Sequence, residues 1–145
     1  MPVVELTTND ECTQILTGGA VANLNQLVVL DFTATWCGPC RMIAPKLEEL
    51  SNNLSFVKFY KIDVDTLPEI TKLHGVSSMP TFQFFLNGKM LSTFSGCNYQ
   101  KLVMTINQLL EENPSANLVS NHTDQEEEAS TNVVTKTLPP QFPTL

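Results

Sequence analysis

The six residues Leu27-Val-Val-Leu-Asp-Phe32 constrain the fold of this chain more than any other stretch. A nearly continuous apolar run bounded by polar segments fits a strand buried on both faces. Such strands belong to mostly parallel sheets, whose crossover connections place helices on either side. A single carboxylate, Asp31, interrupts the run.

The flanking segments agree with an α/β chain. Val3-Val-Glu-Leu6 reads as a short strand, and Thr8-Asn-Asp-Glu11 has the spacing of a capping box, opening a helix that Gly18-Gly19 closes. A second helix is expected from about Gly38 to Leu50, kinked near Arg41 because Pro45 lacks a backbone donor. Phe56–Ile62 is the next strand, followed by a helix from about Thr66 to His74 that stops at Gly75. Thr81–Leu86 and Met90–Phe94 form a hairpin, because Asn87-Gly88 supplies the positive φ angles of a two-residue turn. Asn98 caps a last helix with Leu102, Val103, Ile106, Leu109 and Leu110 on one face. The order βαβαβαββα gives parallel strands, an antiparallel hairpin at one edge and helices on both faces.

Composition changes at Asn113-Pro114. From Pro114 to Leu145 the chain is rich in Ser, Asn, Thr and Pro, with an acidic cluster at Asp124-Gln-Glu-Glu-Glu128, so a domain at 1–113 and a disordered tail at 114–145 are expected. Lys and Arg number 8 against 15 Asp and Glu, a net charge of −7 that lacks the basic footprint of a nucleic-acid binder. No stretch reaches the ~18 apolar residues of a membrane span, and no signal sequence opens the chain. A cytoplasmic protein with no membrane partner is expected.

Four cysteines, Cys12, Cys37, Cys40 and Cys97, are too few and too irregularly spaced for a secreted disulfide framework. The close pair Cys37 and Cys40 is a metal clip, a staple or a reacting pair. With Cys37 at a helix N-cap and Cys40 in the first turn, their Cα atoms fall roughly 5 Å apart, inside the range a disulfide needs. So short a loop barely restrains the unfolded chain, which weakens the staple. Structural zinc normally takes four ligands, and single Cys12 and Cys97 with widely separated His74 and His122 do not complete such a set, so no metal is expected.

As a reacting pair the two sulfurs differ. Cys37, at the first exposed position of the helix, faces unpaired N–H groups and the positive end of the dipole. An interaction of up to ~2 kcal/mol would bring a thiol from about 8.5 toward neutrality, making Cys37 the attacking sulfur. Cys40, a turn deeper, is the resolving sulfur. Gly38 lets a partner chain approach, and Pro39 fits the first turn, where its missing donor costs nothing. Asp31, desolvated in its apolar strand, should have a raised pKa and accept the proton of Cys40; a hydrogen-bonded core acid is the other reading.

From Trp36-Cys-Gly-Pro-Cys40 the sequence resembles the thioredoxin family. The resemblance covers residues 1–113, through Asp31, Met79-Pro80-Thr81, Asn87-Gly88 and Phe94-Ser-Gly96. It implies the thioredoxin fold, a central five-stranded mixed sheet in the order 1-3-2-4-5 flanked by four α-helices, with the cysteine motif at the start of the second helix. It also implies a protein disulfide reductase. Cys37 attacks a client disulfide, Cys40 resolves the mixed disulfide, and the resulting Cys37–Cys40 disulfide is reduced by an NADPH-dependent thioredoxin reductase, with no cofactor bound to the chain itself. Asp31 matches the family's buried acid and Lys61 the lysine near it, although a strand lysine extending its head to water would look the same.

Pro80 resembles the family's cis-proline, which shapes a groove and frees the Met79 backbone to pair with a client strand. Trp36, Gly38, Pro39, Met79, Pro80 and Gly96 would line that surface. The implied clients are disulfide-containing proteins, peroxiredoxin-like among them, met by a monomer in the cytoplasm with passage to the nucleus. Ser78 stands where vertebrate cytosolic members often carry a further cysteine. Cys97, beside the client surface, is a candidate regulatory or cross-linking thiol, and Cys12 is packing. The alternative function is an interaction module that binds a client through the same face and the tail.

Overall fold

A computed structural model describes residues 3–17 and 24–118. By its internal contacts the chain divides into two compact units, Met1–Cys97 and Asn98–Leu145. In the first lie β1 (Val4–Glu5), α1 (Asn9–Leu16), β2 (Leu27–Thr33), α2 (Gly38–Asn53), β3 (Val57–Asp63), α3 (Pro68–Leu73), β4 (Thr81–Leu86) and β5 (Lys89–Ser95); the second holds α4 (Tyr99–Glu112) and α5 (Pro114–Leu118).

The local signals act as expected. Thr8 accepts from the Glu11 backbone while the Glu11 carboxylate accepts from Thr8 N–H, closing the capping box. Asn87 and Gly88 take φ angles of 51° and 85°, both left-handed, as a two-residue hairpin turn requires. Asn98 caps α4 through Lys101 N–H. The five expected apolar positions of α4 are all buried. The expected closure at Gly18-Gly19 and the acidic cluster 124–128 lie outside the described residues.

The strands form one sheet in the order β1-β3-β2-β4-β5, parallel across β1, β3 and β2 and antiparallel across β2, β4 and β5. This is the architecture the resemblance implies, with β2 at its centre. All residues from Leu27 to Phe32 are buried, so the continuous apolar run does mark a strand covered on both faces. Registry sorts the side chains. Asp31 lies opposite Lys61 and Phe82, while Leu30 lies opposite Tyr60 and Gln83. Asp31, Lys61 and Phe82 thus share one face; Val28, Leu30, Phe32, Ile62, Gln83 and Phe85 share the other. The second face packs with Leu6, Cys12, Leu67 and Ile70 in a core cluster that also takes in Cys37 and Cys40. Cys12 is packing, fully buried.

Two boundaries differ from the sequence reading. Helix α3 opens at Pro68 instead of Thr66, because Pro is suited to a first turn. For the same reason Pro114 opens the short helix α5, with Ala116 buried, where the composition suggests the start of a disordered tail. Helix α2 is longer than expected and runs on past Pro45 to Asn53.

Candidate active site

The chain leaves β2 at Thr33 and reaches Cys37, the N-cap of α2, four residues on. An extended φ of −92° and ψ of 114° at Cys37 turn its sulfur back over the helix start, where it accepts the Cys40 N–H at 3.2 Å. One of the otherwise unpartnered first-turn donors is thereby aimed at sulfur. Cys37 and Cys40 are joined by a disulfide with their Cα atoms 5.3 Å apart, as the helical spacing requires.

One expectation is corrected here. Cys37 is not an exposed residue: it is 5% exposed and Cys40 4%, so depth does not separate the two sulfurs. The reason is Met79, which packs against the cluster containing both cysteines and brings its carbonyl oxygen 3.7 Å from Cys37 Sγ. What does lie open is Trp36, 62% exposed, which rules out a core role for it. Its indole N–H donates to Asp65 Oδ2 at 2.8 Å, steadying the ring beside the disulfide. Asp65 carries no motif that would have singled it out in the sequence.

The Met79–Pro80 peptide bond is cis. Pro80 O accepts from Gly96 N–H at 2.8 Å, and Gly96 sits at a φ of +114°, a conformation that L side chains rarely adopt. Thr81 Oγ1 donates to Ser78 O at 2.5 Å and pairs with Ser95 Oγ at 2.8 Å, a fastening the sequence reading missed. Gly38 and Pro39 occupy the first turn of α2, Pro39 exposed. Trp36, Gly38, Pro39, Met79, Pro80 and Gly96 are thus on the segments that adjoin the disulfide. Cys97 is exposed one residue beyond Gly96.

Behind the disulfide, Asp31, Lys61, Asp63, Cys40, Arg41 and Ala44 are among the residues lining a pocket of about 210 Å³. Asp31 is 6% exposed, and its Oδ1 is buried with no hydrogen-bond partner. Burial pushes its carboxyl up to about 7, and the Lys61 ammonium opposite it on β3 pulls in the other direction. A fully hydrogen-bonded core acid is therefore the wrong description of Asp31. The pocket has volume for several waters between this carboxyl and Cys40. Among the described residues no group of His, Cys, Asp or Glu is placed to hold a metal ion.

A disulfide closed across the first turn of a helix, with a partnerless acid behind it and a cis-proline loop in front, defines a class: the dithiol–disulfide oxidoreductases. The comparisons with known proteins narrow it. The family model described as thioredoxin matches residues 7–108. Sheep (Ovis aries) thioredoxin is 51% identical over 85 residues, 59% of this chain and 81% of the relative. The X-ray structure of Fasciola hepatica thioredoxin superposes with a TM-score of 0.68 at 40% identity, covering 73% of this chain and 98% of that one. A chain from a structure concerning the thiol-resolving mechanism of yeast mitochondrial 1-Cys peroxiredoxin, via glutathione and thioredoxin systems, matches with a TM-score of 0.65 at 34% identity, covering 73% and 94%. The chain belongs to the thioredoxin family, and Cys37 and Cys40 make it a thiol–disulfide oxidoreductase.

Proposed function

We propose that the chain is a reductase of protein disulfides, with Cys37 as nucleophile, Cys40 as resolving thiol and Asp31 as proton acceptor. The single observation that carries this reading is the Cys37–Cys40 disulfide at the start of α2, because it is the product state of the proposed cycle. In the reduced chain the helix N-terminus and the Cys40 N–H favour a thiolate at Cys37. That thiolate attacks one sulfur of a client disulfide; the client's other sulfur leaves as thiolate and takes a proton. Cys40, giving its proton to Asp31 through pocket water, then attacks Cys37 Sγ. The client leaves with both sulfurs reduced, and two electrons have passed from the Cys37–Cys40 dithiol.

Lys61 tunes this step by opposing the rise in the Asp31 pKa. Trp36, Gly38, Pro39, Met79, Pro80 and Gly96 supply the client surface, where the Met79 backbone pairs with an extended client segment. An NADPH-dependent thioredoxin reductase returns the disulfide to the dithiol. Peroxiredoxin-like proteins are among the clients, a reading supported by the likeness to the chain from the peroxiredoxin structure. The protein works as a monomer in the cytoplasm, with residues 1–113 as its working domain and 114–145 as an appended tail. Insulin reduction tests the proposal: turnover by the wild type and none by Cys37→Ser supports it, whereas equal turnover refutes it.

A further inference from the structure

On the sheet face opposite Asp31, a second buried polar group is fully engaged. Gln83 of β4 is 3% exposed, and its Nε2 donates to the main-chain carbonyl of His74 at 3.1 Å. That bond turns Gln83 Oε1 toward the imidazole of the same residue, where His74 Nδ1 lies 2.7 Å away. An amide oxygen only accepts, so Nδ1 carries the proton and donates. The His74 ring is held between Phe32 and Phe85, with centroids 5.5 and 5.9 Å distant. Two residues thus grip each other at both ends.

The position of this grip gives it consequence. His74 is the C-cap of α3, its own N–H bonded to Ile70 O. The chain then reverses at Gly75, with φ +71°, and runs through Val76, Ser77 and Ser78 to Met79 and the cis-proline. Beyond that loop, Thr81 and Gly96 hold Ser78 O and Pro80 O. The His74–Gln83 pair fastens the loop's near end, Thr81 and Gly96 its far end, and Met79, packed against the cysteine cluster, lies between them. Phe32, which the ring touches, is the neighbour of Asp31 on β2.

We infer that His74 and Gln83 are positioning residues for client recognition, holding the 75–80 loop so that Met79 presents its backbone beside Cys37. The inference rests on the proposed reading of Met79 as a client-pairing residue. It calls for a split between large and small disulfides. A protein client needs the loop in register, while DTNB, a small aromatic disulfide, needs only the sulfur.

The test compares wild type, His74→Phe and His74→Asn with insulin and with DTNB. Phe keeps the ring between Phe32 and Phe85 but loses the donor, and Asn places a side-chain N–H near the lost Nδ1 position. The expected result for His74→Phe is a KM for insulin raised roughly tenfold, from misplacement of the loop. Its kcat, its DTNB rate and its Cys37–Cys40 reduction potential stay at wild-type values, and His74→Asn recovers most of the insulin KM. Amide hydrogen exchange of residues 76–79 should quicken in His74→Phe. An unchanged insulin KM with unchanged exchange overturns the inference, as does a loss shared equally by insulin, DTNB and the potential. A wild type that reduces neither disulfide would sink the reductase reading alone, and the exchange measurement would still judge the grip.

Discussion

Asp31 and Gln83 are both buried polar side chains on the central strands, and they face opposite sides of the same sheet. Gln83 has partners for both ends of its amide, while one oxygen of Asp31 has none. A satisfied buried group contributes to stability and fixes geometry; an unsatisfied one costs stability and is left with a perturbed proton affinity. The first is suited to holding a loop in place, the second to moving a proton. One sheet therefore carries a structural polar site and a reactive one back to back, with the disulfide and its facing loop drawing on both.

Four substitutions test that contrast, beginning with the largest effect. The native Asp31 carboxyl keeps its proton up to about 7, against an ordinary value of 3.8. Between these values the native state binds more protons than the unfolded one, so stability falls as pH rises through the window and the penalty is complete above it. The interval corresponds to roughly 4 kcal/mol. Asp31→Asn should therefore be more stable than wild type by a few kcal/mol above about pH 8, with the gain fading toward about pH 4; denaturant unfolding at several pH values checks this. Gln83→Leu should do the reverse, losing about 1–3 kcal/mol in the same assay because His74 N–H and C=O are left without their partner.

Third, Asp31→Asn should slow insulin turnover roughly tenfold or more at neutral pH. It should also remove an inflection near pH 7, through which wild-type turnover rises as Asp31 ionises. Equal rates would move Asp31 into the same category as Gln83. The smallest effect is expected from Lys61→Met. Loss of the ammonium should raise the Asp31 pKa further and shift the inflection upward, and a downward shift would contradict the assigned interaction.

The reactive half of this contrast was more legible in the sequence than the structural half. Cys37, Cys40 and Asp31 announce themselves because a short spacing and a charge within an apolar run are local signals. The capping box at Thr8 and the Asn87-Gly88 turn are legible for the same reason. The His74–Gln83 pair is not, since two polar residues in separate elements carry no mark of each other until β4 takes its register beside β2. Asp65 escapes notice likewise, joined to Trp36 across 29 positions by one bond. The burial of Cys37 could not be read either, because a helix N-cap is exposed by default and only the approach of Met79 covers it. Pro114 shows the limit of a residue with two meanings, able to end one segment or to open a helix.

The most direct test of the division of labour between the two sulfurs is a trap. Reduced Cys40→Ser, which lacks the resolving thiol, is incubated with a disulfide-linked client and the mixed disulfide is mapped by peptide mass. The account predicts a stable adduct through Cys37. An adduct confined to the exposed Cys97, with Cys37 left as a free thiol, would contradict it.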